Sequence, residues 1–273
     1  MSFGRQQQRK PLPTMTLPTA RSAPGLNLSS QMILVMGQRG TGKSTLLNTE
    51  APNSTLFLST HEGLGSISCF SVQVNDLNEV RAVLKMLLSP DGADAQRFTH
   101  IVIDEIDDLY KWMMDEVLQE RGLRNMAQVT SDDSPGIYAD ASAKLNTLML
   151  TLRRLPQSVR MTSGERLNEP RGKNKGKLPV TISCGMSGSP RRVVAKHVDH
   201  MWRLRFDTKG NNRVLDLVGH DVGGVVIECK ARLPDSAKGS LPRSIPMTDD
   251  GQPLPFAHIV RTFEAAMRGP GEV

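Results

Sequence analysis

The sequence predicts an α/β fold in which a mostly parallel sheet is flanked by helices and antiparallel strands are added towards the C-terminus. Over the first two-thirds of the chain, short apolar runs typical of buried strands alternate with segments of helical periodicity. The last third contains closely spaced strands joined by short polar turns, which is typical of antiparallel hairpins. A length of 273 residues favours one such domain with additions over two domains.

The amino-terminal elements follow from composition and periodicity. Residues 1–30 are rich in Gln, Pro, Ser, Thr and Arg and show no periodicity, which predicts a flexible tail. The apolar run at 32–36 predicts a buried strand, and it leads directly into a glycine-rich turn. The elements expected after that turn are a helix beginning at Lys43, a strand at 55–59, a helix at 76–88, a strand at 100–103 and a helix at 106–119.

The carboxyl-terminal elements include the expected antiparallel strands. An inserted loop is expected at 122–136, and the basic segment 164–178 shows no regular pattern. The expected elements are a helix at 139–155, a strand at 158–163, a short helix at 189–198, a hairpin of strands at 201–207 and 212–218, a strand at 224–230 and an amphipathic helix at 255–267. We therefore predict a flexible tail at 1–30, a main domain at 31–245 and a C-terminal tail with a helix at 246–273.

Composition narrows the class of protein and its location. The net charge of +6, from 34 basic and 28 acidic residues, favours polyanionic partners. The three cysteines are widely spaced and form no CxxC pair, so we expect neither a disulfide framework nor a zinc site. No apolar run approaches the roughly 20 residues that cross a bilayer. These features predict a cytoplasmic protein with no membrane partner.

A phosphate-binding loop is the most specific motif in the chain. It fits the pattern G-x-x-x-x-G-K-[ST] and lies between a predicted strand and a predicted helix, as this motif requires. Its glycines allow backbone angles that turn successive N–H groups towards one anion. Lys43 is expected to contact the β- and γ-phosphates, and the Ser44 hydroxyl to bind Mg²⁺. The predicted nucleotide-binding residues are Gly37, Gln38, Arg39, Gly40, Thr41, Gly42, Lys43, Ser44 and Thr45.

Acidic residues after two later strands complete the predicted site. Asp104 ends an apolar strand and is predicted to hold the metal together with Ser44. Hydrolysis also requires a group that orients or activates the attacking water. Glu105, directly after the metal aspartate, and Glu62, just after the second strand, are both candidates for this role. The alternative for each is an ordinary acid on a solvent-facing loop.

The base of the nucleotide is predicted to be adenine. A GTPase would carry an N-K-x-D motif that reads guanine, whereas Asn174-Lys-Gly-Lys177 lacks the aspartate. A small-molecule kinase would have no need of the basic segment and hairpin that follow the core strands. We therefore expect ATP as the nucleotide and Mg²⁺ as the metal.

The order of these motifs resembles that of the phage RecA-like single-strand-annealing ATPases, which are often labelled AAA-type nucleotide-binding proteins. The resemblance spans about residues 31–245, and only the phosphate loop is specific by itself. The matching segments are 37–45, 56–64, 101–109, 138–155 and 230–232. The resemblance implies a RecA-like core that binds ATP, assembles into rings or filaments, and acts on single-stranded DNA in recombination. It also implies the cytoplasm of a bacterial host.

The resemblance suggests roles for polar residues at two strand ends. Glu62 would match the family's acid after the second strand. Thr162 and Ser163 would match the polar end of the next core strand, which senses the γ-phosphate. Many relatives carry a histidine just after that strand, whereas this chain continues with Gly164 and Glu165.

A pair of cations near the C-terminus also matches the family. Lys230 and Arg232 resemble the K-x-R pair that some RecA-like ATPases insert into a neighbour's active site. Such cations would stabilise charge on the transferring phosphoryl group and would make hydrolysis depend on assembly. The alternative is that both are solvated cations at a strand end.

The basic segment between Arg160 and Lys177 falls where RecA-type proteins have a mobile DNA-binding loop. Its cations would bind phosphates without reading sequence, and such binding weakens as salt rises. The predicted DNA-binding residues are Arg166, Arg171, Lys173, Lys175 and Lys177.

Two other functions are compatible with these motifs. One is an AAA-type motor or helicase loader in DNA replication, which would use Glu105 to activate water. The other is a non-catalytic, ATP-gated DNA-binding module. We expect a homo-oligomer, and a single-strand-binding protein is a further candidate partner.

Overall fold

The protein is described by a computed structural model that covers residues 27–89, 96–170, 175–234, 237 and 239–268. Residues 1–26 of the predicted amino-terminal tail lie outside this range. Within it, fifteen strands and six α-helices are formed. The strands are β1 (Ile33–Met36), β2 (Thr55–Ser59), β3 (Phe70–Gln73), β4 (His100–Asp104), β5 (Ser158–Ser163), β6 (Glu165–Asn168), β7 (Val180–Cys184), β8 (His200–Phe206), β9 (Arg213–Asp216), β10 (His220–Val222), β11 (Val225–Ile227), β12 (Lys230–Ala231), β13 (Ser244–Pro246), β14 (Thr248–Asp249) and β15 (Gln252–Pro253). The helices are α1 (Lys43–Asn48), α2 (Leu77–Leu88), α3 (Ile106–Glu120), α4 (Ser134–Leu152), α5 (Ser189–His197) and α6 (Phe256–Arg268).

The main sheet has nine strands, and six of them run parallel in the order β3-β2-β4-β5-β1-β8. Strands β9, β12 and β13 extend this sheet through antiparallel pairs. The arrangement confirms the predicted fold class. Because β5 lies between β1 and β4, the carboxyl ends of these three strands lie side by side at one edge of the sheet.

A second sheet of four strands, in the order β10-β11-β7-β6, corrects two predictions. The segment 164–178, which shows no pattern in the sequence, contains β6, and β6 pairs with β7 in an antiparallel hairpin. The single strand predicted at 224–230 is two strands, because β11 pairs with β7 in the second sheet and β12 pairs with β8 in the main sheet. Both outcomes depend on partners distant in sequence.

Two further elements differ from the predicted ones. The edge strand β3 was not expected, because its four residues are exposed and show no alternation of apolar and polar side chains. Helix α4 begins at Ser134 rather than at 139, with Pro135 in its first turn, where proline is well tolerated. The predicted loop at 122–136 is correspondingly shorter.

The core lies on both faces of the main sheet. Strand residues alternate between the faces, so Leu34 and Met36 pack with α2, α3, α4 and α5, whereas Ile33 and Val35 pack with α1 and α6. Helix α6 buries Phe256, Ile259, Phe263 and Ala266 in the second of these layers. Residues 256–268, predicted as part of a tail, therefore share the core of the domain.

A buried ion pair joins Arg160 of β5 to Glu50 after α1. Arg160 is fully buried and donates through Nε to Glu50 Oε2 at 2.7 Å, with further bonds to the carbonyl oxygens of Leu28 and Gln31. Burial raises the pKa of Glu50, but contacts with His100 and Arg160 outweigh it and hold the pKa below its usual value. Arg160, which the sequence grouped with the basic segment, is thus a core residue and offers no surface charge.

We expect Glu50→Gln to destabilise the fold strongly. The change leaves the buried Arg160 cation without its carboxylate, and breaking a buried pair in this way costs about 3–5 kcal/mol. Glu116→Gln is the matched control, because Glu116 pairs with Arg81 and Lys144 at the surface, where such pairs contribute about 1 kcal/mol or less. Urea unfolding at neutral pH measures both changes, and equal losses would contradict the prediction.

The same pair predicts how stability depends on pH. Because the pKa of Glu50 is lowered by folding, its contribution is complete above the pKa of the unfolded chain, about 4.3 for a glutamate, and is lost as pH falls through the folded value. The difference in unfolding free energy between the wild type and Glu50→Gln should therefore shrink below about pH 4.

Candidate functional site

The phosphate-binding loop connects the end of β1 to the start of α1. Its first residue donates through Gly37 N to Ser163 O at 3.2 Å, which ties the loop to β5. A side chain at Gly37 would collide with the Leu204 carbonyl oxygen of β8, so only glycine permits this approach. Gly42, directly before α1, has φ +92°, in the left-handed region that favours glycine. The motif glycines are therefore required by the geometry of the loop.

Lys43 is buried within this loop. Its Nζ donates to Gly37 O at 2.9 Å and to Gln38 O at 3.2 Å. The same Nζ lies 3.9 Å from Glu105 Oε1. The ammonium group is thus held where the backbone of the loop surrounds it, and it faces the carboxyl edge of the sheet.

Ser44 and Asp104 meet beside the loop. Ser44 Oγ donates to Asp104 Oδ2 at 2.9 Å, and Thr162 Oγ1 of β5 donates to the other carboxylate oxygen. Asp104 and Thr162 are both buried. The hydroxyl and carboxylate oxygens are hard ligands that fit Mg²⁺, which usually takes one or two protein ligands and completes its shell with phosphates and waters. Among the described residues, no group of three or more His, Cys, Asp and Glu forms a separate metal site.

The two candidate acids occupy different environments. Glu105 is partly buried at the start of α3, close to Lys43, and its backbone N–H lies 3.4 Å from Thr60 Oγ1. Glu62 is exposed on the turn after β2. The structure therefore brings Glu105 to the phosphate loop and leaves Glu62 on the surface of a neighbouring turn.

Asp107, in the first turn of α3, connects the site to the second sheet. It accepts hydrogen bonds from Ser163 Oγ at 2.9 Å and from Gly164 N at 2.7 Å, while Gly185 N, just after β7, donates to Ser163 Oγ at 3.0 Å. Burial raises the pKa of Asp107 to about 6; the bonds from Gly164 and Ser163 oppose this rise, and the nearby Glu105 carboxylate adds to it. The end of β5, predicted as a sensor, is thus bonded to α3 and β7 together.

Residues 29–223 match the AAA_24 family model, whose description is an AAA domain. This protein belongs to that family. The phosphate loop is accordingly the nucleotide-binding P-loop of an AAA domain, and the predicted resemblance to AAA-type nucleotide-binding proteins is confirmed at this level. A solved structure titled the RadB recombinase is similar over 72% of this chain and 86% of its own, with 16% identity and a TM-score of 0.42. No curated protein matches the sequence.

The predicted trans-acting cations of the AAA domain lie away from its own P-loop. Lys230 pairs with Met201 near the start of β8, at the opposite end of the sheet. Its Nζ donates to Ala195 O at 2.9 Å and to Val198 O at 2.6 Å. Arg232 contacts Asp199 Oδ1 at 2.6 Å and is 66% exposed. Only Arg232 therefore presents its charge at the surface.

The basic segment of the AAA domain forms the β6–β7 hairpin and its connection. Arg166 on β6 is exposed, and so are Lys175 and Lys177 in the connection. Arg171 and Lys173, the other two predicted DNA-binding residues, lie outside the described residues. The hairpin leaves the main sheet at Ser163, so the basic connection and the P-loop are joined through the end of β5.

Arg213 of β9 is a residue near the P-loop that the sequence did not indicate. A side chain at Gly42 would lie 3.2 Å from Arg213 Cζ, so the guanidinium packs against the loop. An arginine in a short hairpin carries no motif, and only the pairing of β9 with β8 brings it here. Among the described residues, no helix is long and apolar enough to span a bilayer.

Proposed function

We propose that this AAA domain binds Mg-ATP on its P-loop, hydrolyses the β–γ phosphoanhydride, and acts on single-stranded DNA as a homo-oligomer in recombination. The observation that carries the catalytic part is the convergence of Lys43, Ser44, Asp104 and Thr162 at one edge of the sheet. These four side chains come from three neighbouring parallel strands and one helix. Together they supply one cation, one carboxylate and two hydroxyl groups around a backbone anion site.

The role of each residue follows from its contacts. Lys43 would exchange the carbonyl oxygens of Gly37 and Gln38 for phosphate oxygens, because charge-assisted bonds to a phosphate are stronger than bonds to neutral carbonyls. Ser44 and Asp104 would hold Mg²⁺, which neutralises charge on the β- and γ-phosphates. Thr162, already bonded to Asp104, would keep that carboxylate oriented.

Glu105 is supported as the residue that orients the attacking water. It lies within 4 Å of the Lys43 ammonium, whereas Glu62 is exposed on its turn. An acid in this position can accept a proton from water near the γ-phosphate. Glu62 remains the candidate that the phage family resemblance implies, and a comparison of the two variants decides between them.

A motor or helicase loader is the second candidate function. It is favoured by the AAA domain match and by Glu105, which directly follows the metal aspartate, as in AAA-type motors. ATP turnover measured with and without single-stranded DNA, together with the mass of the assembly, tests both candidates. Negligible hydrolysis with saturating DNA would favour a non-catalytic, ATP-gated module instead.

DNA binding by the basic connection should depend on salt. We expect the double variant Lys175→Ala, Lys177→Ala to weaken binding of a single-stranded oligonucleotide, because two phosphate contacts are lost. The slope of log K against log salt should fall by about 1.4, at roughly 0.7 for each phosphate on a single strand. Fluorescence anisotropy across a salt series measures this slope.

The control for this experiment removes the same charge elsewhere. Lys85 and Lys111 are exposed on α2 and α3, away from the β6–β7 hairpin. The variant Lys85→Ala, Lys111→Ala should leave the slope close to that of the wild type. If the two double variants change the slope equally, binding reflects net charge rather than the basic connection.

A further inference from the structure

A cleft lies directly beside the P-loop, on the side of α1 that faces the C-terminal segment. It has a volume of about 70 Å³ and includes Gly42 and Thr45 of the nucleotide-binding motif. Its opposite wall comes from Met247 to Pro255, the segment that contains the β14–β15 hairpin. A molecule whose phosphates occupy the P-loop would therefore extend into this cleft along α1.

The lining of the cleft is mainly apolar. Besides the two motif residues, it consists of Leu46, Thr49, Leu204, Arg213, Met247, Pro253, Leu254 and Pro255. The Thr49 hydroxyl already donates to Leu46 O at 2.6 Å and accepts from Phe256 N at 2.9 Å. Concave apolar surfaces with few polar groups are typical of sites for flat ring systems.

Arg213 stands where the cleft meets the P-loop. Its backbone is fixed, because Arg213 N donates to Thr248 Oγ1 at 2.9 Å and Met247 N donates to Arg213 O at 2.8 Å. Its Nε is buried and has no hydrogen-bond partner among the described residues. A buried N–H group of a cation is costly to leave unpaired, so this position favours an anion.

We propose that the cleft receives the base and ribose of the bound nucleotide and that Arg213 contacts its α-phosphate. The inference rests on the nucleotide binding proposed above and extends it to the nucleoside. A triphosphate on the P-loop has its α-phosphate at the nucleoside end, where an anion would satisfy Arg213. The apolar wall of Leu46, Met247 and Leu254 would then pack against the base.

The wall formed by the β14–β15 hairpin is the part that can adapt to the ligand. The two strands pair only with each other, whereas the facing wall belongs to α1 and the main sheet. The cleft is smaller than a nucleoside, so binding displaces this hairpin and orders it against the base. The bond from Leu254 N to Met247 O at 2.9 Å closes its base and reports on that movement.

Titration calorimetry with two ligands tests the inference on the full chain. Mg-ATP carries phosphates and a nucleoside, whereas magnesium tripolyphosphate carries phosphates alone. We expect Leu254→Ala to weaken Mg-ATP roughly tenfold, since one apolar side chain is lost, and to leave tripolyphosphate binding unchanged. Arg213→Gln should weaken both ligands by a similar factor. Leu150→Ala, at an exposed leucine of α4, is the control and should change neither.

The outcomes separate this inference from the proposed function. If the wild type binds neither ligand, nucleotide binding on the P-loop is wrong. If it binds both and Leu254→Ala affects them equally or not at all, only the nucleoside cleft is wrong. Should that variant fail to fold, hydrogen exchange of the wild type decides the matter. Mg-ATP, but not tripolyphosphate, should slow exchange at the Leu254 amide, and equal exchange with both ligands would overturn the inference.

Discussion

Lys43→Ala is expected to abolish binding of Mg-ATP at micromolar protein concentrations while leaving the fold intact. The variant removes the one ammonium group inside the P-loop, and each charge-assisted bond to phosphate contributes about 1.5–3 kcal/mol. Loss of two such bonds corresponds to a weakening of at least roughly 100-fold. The folded state should survive, because Lys43 Nζ bonds mainly to carbonyl oxygens of its own loop.

Equilibrium binding and thermal unfolding without nucleotide measure the two parts of this prediction. Lys111→Ala is the matched control, because Lys111 is a surface lysine of α3 whose side chain is 76% exposed. The control should bind Mg-ATP as the wild type does. Normal binding or turnover by Lys43→Ala would mean that the P-loop is not the nucleotide site, and the proposed function would then be wrong.

Glu105→Gln is expected to reduce ATP turnover by about 100-fold or more and to preserve ATP affinity. Glutamine keeps the size of the side chain but cannot accept a proton, and positioned acid–base groups contribute about 10²–10⁴-fold to rate. The nearby Lys43 would lose one carboxylate neighbour, which does not weaken its attraction for phosphate. Steady-state turnover and equilibrium binding of Mg-ATP measure the two quantities separately.

Glu62→Gln is the comparison that gives this result its meaning. Glu62 is exposed, so its variant should turn over ATP within about twofold of the wild type if Glu105 activates the water. The reverse pattern, in which only Glu62→Gln collapses turnover, would assign the role as the phage RecA-like resemblance implies. Such a result would also require the turn after β2 to move towards the P-loop during catalysis.

Local features explain why the P-loop region was predictable. The strand at Ile33–Met36, the glycine turn and α1 are contiguous, and each is determined by neighbouring residues: an apolar run, glycines and a lysine–serine pair. The same holds for α2, where the Asp76 carboxylate caps the first turn by accepting from Asn78 N and Glu79 N. Elements of this kind follow from composition and periodicity over a dozen residues.

Residues that depend on distant pairing could not be predicted in the same way. Arg160 is one of several cations near the β6–β7 hairpin in sequence, yet only the approach of Glu50 makes it a core residue. The split of the strand predicted at 224–230 depends on whether its partner is β7 or β8. Arg213 has no motif, and its place beside Gly42 follows from the register of β9 on β8.

The sequence by itself determined that this chain carries a phosphate loop on an α/β sheet, because that motif is local and its glycines have one geometric use. Only the tertiary structure decided which other side chains surround the loop. Parallel strands have their carboxyl ends at one edge of the sheet, and the insertion of β5 between β1 and β4 brings Thr162 to Asp104. The order of strands in a sheet depends on contacts across the whole domain, and no local pattern encodes it.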